Sequence, residues 1–234
     1  MRNYAYLSKN LGDIRRELSA LEETYGRRIT LVAVTKSGSD EEFSALISLG
    51  VTDIGENRPG ELARRGELAS ALGLQPRLHQ IGHLQRNKVK TVVGRADIIH
   101  SLDSLALAAE IDKQAKKLGI IQDVLIEINS GREEQKGGVD PDCAEELFIA
   151  LRQFSNLSVR GLMTMGPALD HPEEMRPYFI LTKKIFDKLN TEYGFSGEPI
   201  LSMGMSESYR VAIEEGANLV RVGRRLFMKE NQNV

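Results

Sequence analysis

Lys36 directly follows a short apolar run, Ile29 to Thr35 (ITLVAVT), rich in β-branched residues. Such a run is expected of a strand covered on both faces. An amine at the end of that strand loses hydration and becomes a readier Schiff-base nucleophile. A lysine reaching solvent from the same place would carry no such role. A second signal lies near the C-terminus. Ser202-Met203-Gly204-Met205-Ser206 leads into a helix expected from Glu207, with Ser206 as its N-cap. Val220-Arg221-Val222-Gly223-Arg224-Arg225 then ends the following strand with a glycine that lets backbone approach a ligand. Together these segments could hold a phosphate, although a helix cap and a solvated basic turn would read the same way.

Other residues carry weaker signals. His79, His83, His100 and His171 show neither metal-ligand spacing nor a carboxylate helix motif. They read as structural or strand-end histidines, and no metal is expected. Lys136-Gly137-Gly138 lacks the spaced first glycine and the following Ser or Thr of a phosphate loop. Cys143 falls in a helical pattern, where a small buried thiol is expected.

The elements that must position these residues alternate along the chain. Tyr4, Leu7, Leu11, Ile14, Leu18, Leu21 and Tyr25 recur at three- and four-residue steps, one stripe of a helix ended by Gly26. After Ile29 to Thr35, short strand-like runs follow at Val51 to Gly55, Arg77 to Ile81, Asp97 to Ser101, Asp123 to Asn129, Ser158 to Met163, Ile200 to Met203 and Asn218 to Gly223. Between them lie helical patterns at Asp40 to Leu49, Glu61 to Leu72, Asp103 to Leu118, Asp140 to Phe154, His171 to Tyr193 and Glu207 to Glu215. About eight alternations match an α/β fold of the (β/α)8 TIM-barrel type better than an open doubly wound sheet, and the pattern alone leaves both open. In a barrel, the active site would lie at the C-terminal strand ends.

Composition narrows the function. The chain has 234 residues, with 31 Lys and Arg against 33 Asp and Glu. That balance gives neither nucleic acid nor an anionic membrane a reason to bind. One cysteine rules out an intrachain disulfide framework and fits a reducing compartment, so a cytoplasmic address is expected. The N-terminus lacks the apolar run of a secretory signal, and no apolar stretch reaches the roughly 20 residues needed to span a bilayer. No linker or low-complexity segment divides the chain, so residues 1–234 are expected to form a single domain.

In order, LVAVTK, IGEN, HQIGHLQRNKVK, IHSLDSL, the INSG to KGGV stretch, VRGLMTM, RPYF, LSMGMS and EEGANLVRVG resemble the YggS/PROSC family of pyridoxal phosphate homeostasis proteins. The match runs from about residue 29 to 227. The resemblance implies a barrel like the N-terminal domain of alanine racemase, preceded by the extra N-terminal helix. It also implies pyridoxal 5′-phosphate (PLP) held as an internal aldimine. Carried over residue by residue, Lys36 would be the aldimine lysine and Ser206 a hydroxyl donor to the phosphate. Gly223 and the N–H of Arg224 would cup that phosphate, and Arg221 would face the pyridine nitrogen. Asn57 and His83 would line the pocket. Lys136, from its place on the loop after the fifth expected strand, would approach the cofactor's phenolic oxygen and help it enter or leave, with a solvated loop lysine as the alternative. The family usually has Tyr after GEN, Thr after VRVG and Asp two residues after SMGMS; here these are Arg58, Arg224 and Ser208.

The expected role is a monomeric carrier that hands PLP to apo PLP-dependent enzymes. Arg221 supports that role, since a guanidinium has only donors and stays charged, so facing the ring nitrogen it would keep that nitrogen unprotonated and weaken the electron sink, an arrangement alanine racemase tolerates because it has two well-placed bases. A PLP-dependent racemase is the alternative. Racemisation needs a base on each face of the α-carbon, and in alanine racemase the second is a tyrosine from another domain. A chain ending at Val234 is expected to leave no room for that domain. A Schiff-base aldolase or phosphate-binding isomerase without PLP is a third reading.

Overall fold

The eight β-rich runs form eight parallel strands in a computed structural model that describes residues 4–229. They are β1 (Thr30–Val34), β2 (Asp53–Glu56), β3 (Arg77–Gln80), β4 (Ile98–Leu102), β5 (Gln122–Glu127), β6 (Leu157–Met163), β7 (Ile200–Ser202) and β8 (Leu219–Val222). Each pairs with its neighbour in chain order and β8 pairs with β1, so the sheet closes into a barrel. The open doubly wound alternative is thereby excluded. Helices surround it: α1 (Ala5–Tyr25), α2 (Asp40–Ser48), α3 (Pro59–Ala71), α4 (Val89–Val92), α5 (Leu105–Leu118), α6 (Ala144–Leu151), α7 (Arg176–Glu192), α8 (Tyr209–Glu214) and α9 (Arg224–Phe227). Among the described residues, no helix is long and apolar enough to cross a membrane.

Strand alternation divides the core in two. One set of residues, including Ala33, Ile54, Leu78, Ile99, Val124, Leu162, Leu201 and Val220, joins the helices in a large apolar cluster. The other set follows the register from Val34 through Gly55, His79 and Ile98, and on through Asp123, Leu125 and Glu127 to Met163, Ser202 and Leu219. Within that set only Ile98, Leu125, Met163 and the partly buried Ile200 form an apolar cluster. Asp53, His79, His100, Glu127, Ser202 and Arg221 are its buried polar members. The barrel interior is therefore unusually polar for a packed core.

The first helix behaves as its stripe implies. Leu7, Leu11, Ile14 and Leu18 are buried, each burial contributing about 1.5–3 kcal/mol, and Gly26 ends the helix at φ 61°. Packed against α2, α8 and α9, α1 also brings Glu17 to Arg225, Arg210 and the Tyr209 hydroxyl. Arg225 above all holds that carboxyl down at about 2, against the opposing effect of burial. The segment after β8 is thus anchored by an ion pair as well as by packing.

Three local expectations change. Cys143 is exposed, because it closes a 3₁₀ turn (Pro141–Cys143) and the buried stripe of α6 starts only at Ala144. The expected helices at Asp140 and His171 each begin with such a turn, and α6 stops at Leu151, before Phe154. The two four-residue helices, α4 and α9, are too short to leave a periodic signal.

Candidate functional site

At the C-terminal ends of the strands lies a cavity of about 490 Å³, lined by Lys36, Asn57, Ser206, Arg221, Gly223 and Arg224. Six of the eight residues singled out from the sequence therefore converge on one space. Val34, Ile81, Pro167, Met175 and the exposed Met165, Leu169 and Met205 give it apolar walls and an apolar lip. His83 and Lys136 are not among the lining residues.

Lys36 stands two residues past the end of β1 in a turn and is exposed, so the dehydration expected of it is not observed. What holds its loop is Arg65. This buried arginine of α3 lies over the Phe43 ring and donates to the carbonyls of Gly38 and Ser39 and to the Asp40 carboxylate. Thr35, next to Lys36, donates to buried Glu56, whose acidity burial weakens. Sequence reasoning missed Arg65. Its signal was an arginine on the apolar stripe of Leu62, Arg65 and Ala69.

Asn57 is held from behind. Its carbonyl accepts from the Gln80 amide, and Gly82 packs so closely that an added Cβ would lie 2.4 Å from that carbonyl. Only glycine fits there without pushing Asn57 into the cavity.

Ser206 is not a helix cap. Residues 206–208 form a turn and α8 starts at Tyr209, preceded by Ser208. The Ser206 hydroxyl instead accepts from the backbone N–H groups of Gly223 and Arg225, both at 3.3 Å. This draws the two C-terminal segments into one polar corner. Ser208 Oγ accepts from the Met205 N–H, so the serine in the family's aspartate position braces the same turn. Arg224 is exposed and 3.7 Å from Glu207, at the cavity edge. Arg58 precedes α3 without capping it through its side chain.

Arg221 is only 3% exposed. Burial lowers its pKa to about 10, against the field of Glu127, and it stays charged at neutral pH. It donates to the Ser202 carbonyl (2.9 Å), the Ser202 hydroxyl and the Thr164 carbonyl (2.9 Å). Its Nε–H has no acceptor among the described residues.

The remaining two candidates lie to one side. Lys136 Nζ is 2.6 Å from Glu133 and donates to the Gly166 carbonyl at 3.0 Å, bracing the segment that carries Met165 and Pro167. His83 is exposed and 3.8 Å from Asp103. An added Cβ on Gly137 would sit within 3.8 Å of His83, Asp103 and Glu127 together.

Three comparisons bear on this geometry. The family described as alanine racemase, N-terminal domain, matches residues 10–231. A pyridoxal phosphate homeostasis protein of Aquifex aeolicus is 46% identical over 197 residues, covering 84% of this chain and 85% of the relative. PipY of Synechococcus elongatus, solved with PLP bound, superposes with a TM-score of 0.83 at 28% identity, covering 95% of this chain and all of its own.

Glu127 gives a direct check on the interior. Burial, reinforced by Asp103 and offset by Arg221, raises its pKa to about 7. The folded protein therefore keeps this carboxyl protonated where the unfolded chain ionises, from about 4.5 upward, and stability falls as pH rises from there to about 7. Glu127→Gln removes that loss, so urea denaturation across this window should show the variant gaining on wild type. A gap that stays constant with pH would contradict the assignment.

Proposed function

The chain belongs to the alanine racemase N-terminal domain family and, within it, to the pyridoxal phosphate homeostasis proteins, and from that premise we propose that it binds PLP and holds it for delivery. The observation that carries this reading is the convergence of Lys36, Ser206, Gly223 and Arg221 on one cavity with apolar walls. When bound, PLP supplies an aldehyde that combines reversibly with amines and a ring that can accept electrons. The residues fit such a group. Lys36 offers the amine, at the open edge. The Ser206 hydroxyl and the N–H of Arg224 offer donors to a phosphate, and Gly223 lets the backbone approach it. Asn57 and the methionine lip flank a flat ring.

Arg221 sets the character of the site. A guanidinium has only donors, so toward a ring nitrogen it favours the unprotonated form and leaves the ring a poor electron sink. Lys136, bonded to the Gly166 carbonyl of the segment that carries Met165 and Pro167, would act on entry and exit, and His83 lies beside Gly137, the next residue. We assign residues 1–234 to one binding domain acting as a monomer in the cytoplasm, with apo PLP-dependent enzymes as recipients.

Two measurements test this. Ser206→Ala should weaken PLP by about 1–3 kcal/mol more than it weakens unphosphorylated pyridoxal; equal weakening of both would place the phosphate elsewhere. Incubated with alanine in deuterium oxide, the PLP-loaded protein should exchange the α-hydrogen slowly or not at all. Several turnovers per second with inversion of configuration would establish a racemase instead.

A further inference from the structure

A line of hydrogen bonds runs through the barrel interior and ends on Arg221. Asp53 of β2 lies 3.0 Å from His79 Nε2, and His79 Nδ1 lies 2.9 Å from His100 Nε2. His100 Nδ1 is 3.2 Å from Ser202 Oγ, which receives a hydrogen bond from Arg221 Nη1. Both imidazoles are fully buried. The line also joins two cavities. Asp53 and His79 border a second one, of about 440 Å³, which Arg77 and the N-terminal ends of several strands also line, whereas Arg221 borders the cavity at the other end.

The chemistry of the ends dictates the protons between them. Arg221 can only donate, so Ser202 Oγ accepts from it and its own hydrogen is free to go to His100 Nδ1. His100 then carries its proton on Nε2 and gives it to His79 Nδ1, and His79 carries its own on Nε2 and gives it to Asp53. Every donor points away from Arg221, and both histidines are neutral. The opposite arrangement also has a donor at each histidine contact, with both rings protonated on Nδ1. It requires Asp53 to donate and leaves the Ser202 hydrogen without its acceptor. An ionised Asp53 cannot donate, and a doubly protonated His79 would pair with it only by turning His100 Nδ1–H toward Ser202 and again leaving the Ser202 hydrogen without its acceptor, so the first arrangement holds. Burial pushes the Asp53 carboxyl up, but its bonds from His79 and Thr52 and the field of Arg77 outweigh this and leave it below its ordinary value. Burial, aided by the charge of Arg221, likewise keeps His100 uncharged.

We propose that Asp53, His79, His100 and Ser202 form a relay that orients Arg221 toward the ring nitrogen of PLP, with both histidine tautomers set by a carboxylate at the opposite end of the barrel. His79 and His100 are positioning residues: they touch Arg221 only through Ser202. The proposal rests on PLP as the ligand of the cavity; the tautomers do not.

Asp53→Asn in the full chain separates the two. In wild type both rings should be neutral and in the Nε2–H form; the amide, which can donate as well as accept, removes that constraint, so a population in the Nδ1–H form should appear. Nitrogen-15 NMR of the imidazoles, without ligand, reads this directly once the exposed His83 and His171 are assigned by substitution with Gln. In binding, wild type should prefer PLP over its 1-deaza analogue, which lacks the ring nitrogen, by about tenfold or more. In Asp53→Asn that preference should shrink to within about threefold. Ser202→Ala, which keeps the backbone acceptor and removes the relay hydroxyl, should shrink it too, and serves if Asp53→Asn fails to fold. Wild-type rings protonated on Nδ1, or on both nitrogens, would overturn the relay. Equal loss of affinity for both compounds, with the preference intact, would overturn the positioning role. Wild type that takes up neither compound would overturn both that role and the function proposed above, while the tautomers would still decide the relay.

Discussion

A charged guanidinium this deeply buried in a small parallel barrel must find most of its acceptors in the protein, because little of it is left to water. Arg221 meets that demand with carbonyls at the ends of β6 and β7 and the Ser202 hydroxyl. Those acceptors come together when β6, β7 and β8 pair in order, so the geometry of Arg221 depends on that pairing. The interior polar residues follow from the same demand: Ser202 needs His100, His100 needs His79, and His79 needs Asp53. Two residues beyond Arg221, the chain turns at Gly223 and meets Ser206, so the buried charge and the polar corner of the cavity share one strand end.

The resulting grip is asymmetric. At the floor of the cavity Arg221 is locked into the barrel wall, while at its edge Lys36 is exposed on a loop pinned from behind by Arg65. On the reading proposed above, the ring end of the ligand is held rigidly and the aldehyde end stays open to an incoming amine. That combination suits a protein that keeps a reactive cofactor and then releases it. Racemisation with an unprotonated ring would ask for two bases close to the substrate.

Much of this was legible in the sequence, for a definite reason. Strand and helix periods are one-dimensional, so eight alternations and their polar exits could be read without knowing which strands pair. The exits delivered Lys36, Asn57, Ser206, Arg221, Gly223 and Arg224 to one cavity. Properties that need register or turn geometry were out of reach. His79 and His100 meet only because β3 and β4 pair with His79 beside Ile98. The turn at residues 206–208 delays α8 and changes Ser206 from a cap into an acceptor for the next strand's exit. Lys136 is drawn to Glu133 and Gly166 by a loop whose path no periodicity records.

The central claim is that one lysine at the edge of this cavity holds PLP. The most direct test is to load the protein with PLP, reduce it with borohydride, and map the modified lysine by peptide mass, alongside the same treatment of Lys36→Ala. The account predicts a single pyridoxyl-modified peptide containing Lys36, and its disappearance in the variant. Undiminished trapping at another lysine, or no trapping in wild type, would contradict it.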